Sequence, residues 1–136
     1  MKTKFDAILK IEKNLLDEHI KKINVLKSRL NDLNERKKSI LDHYQNTLKN
    51  TDIDEFSMMQ MKYYGNYVMD SISKIDEDRE AILKQIEEQQ DVIAEQFNNV
   101  KKIELIIKQK KLEAKKIEDK KEQIFLDEIR TDALKI

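Results

Sequence analysis

The sequence contains no cysteine, no proline and no tryptophan, and Gly65 is its single glycine. Without cysteine, neither a disulfide framework nor a thiolate metal site can form in this chain. A glycine-rich loop that would cradle a phosphate is excluded as well. Because proline and glycine are the residues that most often interrupt helices, their near absence predicts an all-α protein. We also expect a bend or a break in the chain near Gly65.

Charged residues make up 40% of the chain and hydrophobic residues 39%, which favours a buried seam over a globular core. Lysine plus arginine and aspartate plus glutamate each total 27, so the net charge is zero and nucleic acid is disfavoured as a partner. No apolar run has the length of a signal peptide or of a membrane span, about 20 residues. We therefore expect a soluble, cytoplasmic protein.

Apolar residues recur at the spacing of a coiled-coil helix in the first half of the chain. This seam consists of Phe5, Leu9, Leu16, Ile23, Leu26, Leu30, Leu33, Ile40 and Tyr44. Its polar interruptions are Glu12, His19, Lys37 and Thr47. The pattern predicts helix one over about residues 3–49.

Polar residues then interrupt the seam, and we predict a turn at about residues 50–53. Thr51 with Asp54, or Asp52 with Glu55, has the spacing of a capping box at a new helix start. The second seam consists of Val68, Ile72, Ile75, Ile82, Ile86, Ile93, Val100, Ile103, Ile107, Ala114, Ile117 and Ile124. It predicts helix two over about residues 54–130. Together the helices should form one domain, residues 1–136, built as an antiparallel coiled-coil hairpin.

The predicted helices are unequal in length. Folded back from the turn, helix one would end opposite about residue 99, so residues 100–136 should overhang. This part still carries large apolar side chains: Ile103, Ile106, Ile107, Leu112, Ile117, Ile124, Phe125, Leu126 and Ile129. Burial would contribute roughly 1.5 to 3 kcal/mol for each, so we expect a partner there.

Charge is arranged in blocks along helix two. Residues 76–99 hold eight acidic and two basic residues, whereas residues 100–121 hold nine basic and four acidic ones. The blocks could steer partners or could simply be a solvated flank, and both interpretations remain open.

The chain offers no pattern typical of an active site. His19 and His43 are its only histidines and lack metal-ligand spacing. The carboxylates of two paired helices should face water, where no pocket separates their pKa values for acid and base chemistry. We expect a protein without catalytic residues, metal or cofactor.

Methionine and tyrosine cluster just after the turn, at Met58, Met59, Met61, Tyr63, Tyr64 and Tyr67. These side chains either bind a partner or pack together at the end of the hairpin. A later lysine-rich run, with Lys108, Lys110, Lys111, Lys115, Lys116, Lys120 and Lys121, is interleaved with acidic residues. That run is more typical of a solvated face, or one that meets an acidic protein, than of a lipid- or RNA-binding site.

Three segments resemble the FliJ family of flagellar type III export proteins. The first is the amphipathic start at residues 4–9, and the second is residues 51–56 followed by the aromatic residues 63–68 and by Ile72 and Ile75. The third is the tail at residues 122–129, which is similar to the family's E-Q-K-x-L-D-E ending, with Ile124 where the family more often has lysine. Lys110, Lys111 and Leu112 precede that tail at about the family's distance.

The resemblance implies a cytoplasmic stalk, peripheral at the inner face of the cell membrane and monomeric when free. The stalk would bind the hexameric export ATPase, promote its assembly or activity, link it to the export gate and escort export chaperones. The ATPase-binding residues would be Phe5, Ile8, Leu9, Gln123, Leu126, Asp127 and Ile129, and the gate-binding residues Tyr64, Tyr67, Val68, Ile72 and Ile75. Two alternatives remain: the equivalent stalk of a virulence type III system, and a structural coiled coil that self-associates.

Overall fold

The computed structural model describes residues 4–52 and 54–134, and its two elements are both α-helices. Helix α1 spans Lys4–Asn50 and helix α2 spans Glu55–Leu134, which is 47 and 80 residues respectively. The predicted all-α fold with a longer second helix is confirmed. Residue 3, where helix one was predicted to begin, and Ile53, in the predicted turn, lie outside the described residues.

Helix α2 begins with Asp54 as its N-cap. The Ser57 backbone N–H donates to Asp54 Oδ1 at 2.6 Å, and this hydrogen bond holds the pKa of the Asp54 carboxyl below its ordinary value. Neither predicted capping-box pair forms this cap. The hydroxyl of Thr51 instead donates to the carbonyl oxygen of Thr47 at 2.6 Å, in the last turn of α1.

Tertiary contacts divide the chain into two units. One unit joins the start of α1, up to Leu16, with α2 from Ala94 onward, and the other runs from Asp17 to Ile93. In the second unit the helices are antiparallel, since Tyr44 packs against Tyr64 while His19, earlier in α1, contacts Gln89, later in α2. The buried apolar core of this unit consists of Ile23, Val68, Ile75 and Ile86.

The first unit is also an antiparallel helix pair. Val100 and Ile107 are its buried apolar residues. Gln96 is buried beside them, and its side-chain amide donates to the Glu12 carbonyl oxygen at 2.9 Å and to the Glu12 carboxylate. Lys13 Nζ lies 3.8 Å from Glu104 Oε1 on the exposed flank.

Three of the four polar residues that interrupt the α1 seam have partners on α2, whereas the Thr47 hydroxyl donates to the His43 carbonyl oxygen within α1. In one unit, Gln96 bonds Glu12, as described above. In the other, Gln89 Nε2 lies 3.2 Å from His19 Nδ1, and Lys37 Nζ donates to Asp76 Oδ1 at 2.8 Å. The Lys37 hydrogen bond, opposed by desolvation, leaves the pKa of the Asp76 carboxyl below its ordinary value. Such paired polar positions disfavour other registers of a coiled coil, in which each would face an apolar residue.

Candidate partner-binding surfaces

The end of α2, residues 108–134, is exposed at every position. We call these residues the tail. The tail carries the large apolar side chains of Leu112, Ile117, Ile124, Phe125, Leu126, Ile129 and Leu134, each about half exposed or more. No residue of α1 buries them, because the pairing with α1 has ended. These exposed apolar side chains are therefore available to a partner.

The helix pairing extends further along α2 than predicted. Val100 and Ile107 are both buried, and Lys110 Nζ lies 5.8 Å from the centre of the Phe5 ring. The unpaired part therefore begins at residue 108, and the predicted overhang from residue 100 is corrected. The register is the physical reason: Tyr44 packs against Tyr64, whereas a helix two that folded back directly to place residue 3 opposite residue 99 would bring Tyr44 opposite about residue 58.

The predicted ATPase-binding residues fall into two separate groups. At the start of α1, Phe5 and Leu9 are half-buried against α2 and Ile8 is more exposed. The remaining four, Gln123, Leu126, Asp127 and Ile129, are exposed in the tail. From Lys110, beside Phe5, to Gln123 is about 20 Å along the helix at 1.5 Å per residue. The two groups thus lie in one unit but do not form one continuous surface.

Local hydrogen bonds order the exposed polar side of the tail. Gln123 Nε2 donates to Asp127 Oδ1 at 3.2 Å, and the Thr131 hydroxyl donates to the Asp127 carbonyl oxygen at 2.8 Å. Both bonds join residues one helical turn apart. Gln123 and Asp127, which belong to the family-like segment 122–129, are therefore exposed as a hydrogen-bonded pair.

The predicted gate-binding patch is only partly on the surface. Val68 is 2% exposed and Ile75 is 5% exposed, because both pack in the seam between the helices. Both were predicted to bind the gate, and neither is accessible to a partner while the helices are paired. Tyr64, which packs against Tyr44 and His43, and Ile72 are half-buried. Only Tyr67, at 68%, is largely exposed.

An exposed apolar stripe runs along the first turns of α2. It consists of Phe56, Met59, Tyr63 and Tyr67, each about two-thirds exposed. Their spacing of three, four and four residues places them on one side of the helix. The predicted methionine and tyrosine cluster included three of them but not Phe56. The same three- and four-residue spacing in the sequence places Phe56 on the side of the helix that carries the stripe. It places Val68 and Ile75 on a different side.

No protein-family model, curated protein or solved structure matches the chain. Among residues 4–52 and 54–134, no group of three or more histidine or carboxylate side chains is placed to hold a metal ion. Within the same residues, neither helix is apolar enough over a sufficient length to cross a membrane. The tail and the stripe remain the candidate partner-binding surfaces.

Proposed function

We propose that the chain is a non-enzymatic stalk of the flagellar type III export apparatus. Its tail binds the hexameric export ATPase and promotes the assembly or activity of that ring. Its exposed stripe, Phe56, Met59, Tyr63 and Tyr67, contacts the export gate, so that the chain links ATPase and gate. It acts in the cytoplasm at the inner face of the membrane, where it also escorts export chaperones.

The distribution of apolar side chains around the tail carries this proposal. Ile124, Phe125 and Leu126 are consecutive, and successive residues of a helix point about 100° apart. All three are exposed, as is Ile129 one turn later. A second helix or a flat surface buries one side of a helix and would leave some of these residues in water. A ring that encloses the tail can bury them all.

The tail motif gives independent support. Gln123, Leu126 and Asp127 occupy positions at which this tail resembles the family's ending, and all three are exposed. None of them packs against α1. Gln123 and Asp127 bond to each other within the helix, whereas the exposed Leu126 gains no burial from the hairpin. A binding role for the tail accounts for their presence on an unpaired helix end.

A paired set of variants tests the proposal. Leu126→Glu with Ile129→Glu changes two tail residues that are 52% and 49% exposed. The control, Val25→Glu with Leu83→Glu, changes two residues of the helix pair that are 52% and 47% exposed. Both double variants should retain the helicity of the parent chain by circular dichroism. Only the tail variant should lose binding to the cognate export ATPase, by about 100-fold or more.

The two alternatives give different results. If the parent chain neither binds nor stimulates the flagellar export ATPase, the proposal is wrong. Sedimentation that shows an oligomer at micromolar concentration, lost in the tail variant, would instead support the self-associating coiled coil. Preferential binding to the ATPase of a virulence secretion system would assign the chain to that apparatus.

A further inference from the structure

The first half of the tail, residues 108–121, is strongly basic. It holds seven lysines and three acidic residues, a net charge of +4, within 14 positions. All of these residues are exposed. We call this segment the basic band. It directly precedes the apolar residues Ile124, Phe125, Leu126 and Ile129.

The hairpin does not neutralise the basic band. Where α1 and α2 are paired, charged residues have partners across the seam, such as Lys37 with Asp76 and Lys13 with Glu104. The band begins where the contacts with α1 end, and Lys110, whose Nζ lies 5.8 Å from the centre of the uncharged Phe5 ring, is its contact with α1. Within the described residues, no cross-helix ion pair involves a residue of the band. Its excess positive charge therefore remains free to act on another molecule.

The lysines of the band also point to every side of the helix. With about 100° between successive residues, Lys108 and Lys115 lie on one side, Lys110 and Lys121 on a second, and Lys116 and Lys120 on a third. A partner that contacts one side would leave most of this charge unpaired. A partner that surrounds the helix would meet all of it. The band thus has the same all-round geometry as the apolar residues that follow it.

We propose that the ring that receives the tail carries a collar of acidic side chains around residues 108–121, beside an apolar lining for residues 124–129. This inference rests on the proposed function and names the chemistry of the partner surface. The collar steers the tail into the ring, because opposite charge accelerates encounter more than it slows dissociation. The apolar lining then supplies most of the affinity. A second copy of the chain does not fit the band, since it would cover only one side, whether it brought its own basic band or its acidic residues 76–99.

A lysine-to-glutamine series tests the collar. The band variant changes Lys110, Lys111, Lys115 and Lys116 to glutamine, and the matched control changes Lys21, Lys22, Lys27 and Lys38, which are exposed on α1. Association and dissociation rate constants with the cognate export ATPase are measured from low to high ionic strength. At low salt the band variant should associate about tenfold more slowly, with a shallower salt dependence and a nearly unchanged dissociation rate. The control should behave like the parent chain.

The outcomes separate this inference from the proposed function. If Leu126→Glu with Ile129→Glu abolishes binding while the band variant keeps the parent's association rate and salt dependence, the collar is wrong and the stalk stands. If the parent chain does not bind the ATPase at all, both are wrong. The parent chain could instead bind vesicles that contain anionic lipid. If only the band variant loses this binding and its ATPase kinetics stay unchanged, the band binds a membrane surface and the collar is wrong.

Discussion

The hydroxyl oxygen of Tyr44 lies 3.1 Å from the position that a Cβ atom on Gly65 would occupy. The single glycine of the chain therefore makes room for an aromatic ring of the facing helix. It does not interrupt α2, which continues through Gly65 without the break that the sequence suggested and without positive φ. The Tyr44 ring in turn packs against Tyr64, with 5.7 Å between ring centres.

Gly65→Ala should stabilise the hairpin, but by less than the helix propensity alone predicts. Alanine is favoured over glycine in a helix interior by about 1 kcal/mol, and part of this gain is lost because the Tyr44 ring must move aside. In a Tyr44→Phe background the hydroxyl is absent, so the same substitution should recover the full gain. Urea denaturation of the four proteins measures the difference. Equal gains in both backgrounds would show that Tyr44 does not restrict this position.

Asp54→Ala should lower the thermal midpoint, because it removes the acceptor for the Ser57 N–H at the start of α2. Asp54→Asn retains an acceptor and should preserve most of the stability at neutral pH. The pKa of Asp54 is lowered by folding, so its carboxylate stabilises the fold above its ordinary pKa, about 4, and this contribution is lost as the pH falls through the lowered value. Asp54→Asn should therefore flatten the acid limb of stability against pH. Equal acid limbs in the parent chain and in Asp54→Asn would show that the Asp54 carboxylate does not contribute to this pH dependence.

The helix pair could be predicted because its cause is local and periodic. Apolar residues at 3.5-residue spacing specify a seam wherever they occur, and the near absence of glycine and proline leaves few other folds. The end of the pairing was harder to predict. It depends on how many residues of α2 pass before Tyr64 meets Tyr44, and no single residue type determines that number.

The candidate sites also divide into features that follow from local periodicity and features that depend on contacts between the helices. An unpaired end of α2 was predicted from about residue 100, since helix one cannot reach the end of the longer helix, whereas full exposure begins at residue 108. Val68 and Ile75 were assigned to a surface on resemblance alone, although their seam spacing indicated burial. The cross-helix partners of Glu12 and His19 could not be predicted either, because a polar interruption in a heptad does not reveal the residue opposite.

Replacing both Glu12 and Gln96 by leucine should raise stability and reduce specificity. Gln96 is buried and donates to Glu12, so the pair forms one of the polar layers of the seam. Leucine at both positions adds apolar burial, roughly 1.5 kcal/mol or more for each side chain, but removes a feature that fixes the register. Thermal unfolding should shift upward, while light scattering should reveal oligomers absent from the parent chain. A stable variant that stays as uniform as the parent would show that other layers suffice to fix the register.

Ile75→Ala should lower the stability of the hairpin, whereas Tyr67→Ala should weaken gate binding and leave stability nearly unchanged. Both residues come from one predicted patch. Ile75 is 5% exposed in the seam, so its truncation leaves a cavity and should cost about 2 to 5 kcal/mol. Tyr67 is 68% exposed, and its truncation should change the free energy of unfolding by no more than about 0.5 kcal/mol. Urea denaturation measures both values. Binding to the cytoplasmic part of the export gate should be weakened by Tyr67→Ala at full helicity, because the stripe loses one of its four large side chains. Gate binding that is unchanged by Tyr67→Ala, and also by Tyr63→Ala, would remove the stripe from the gate contact.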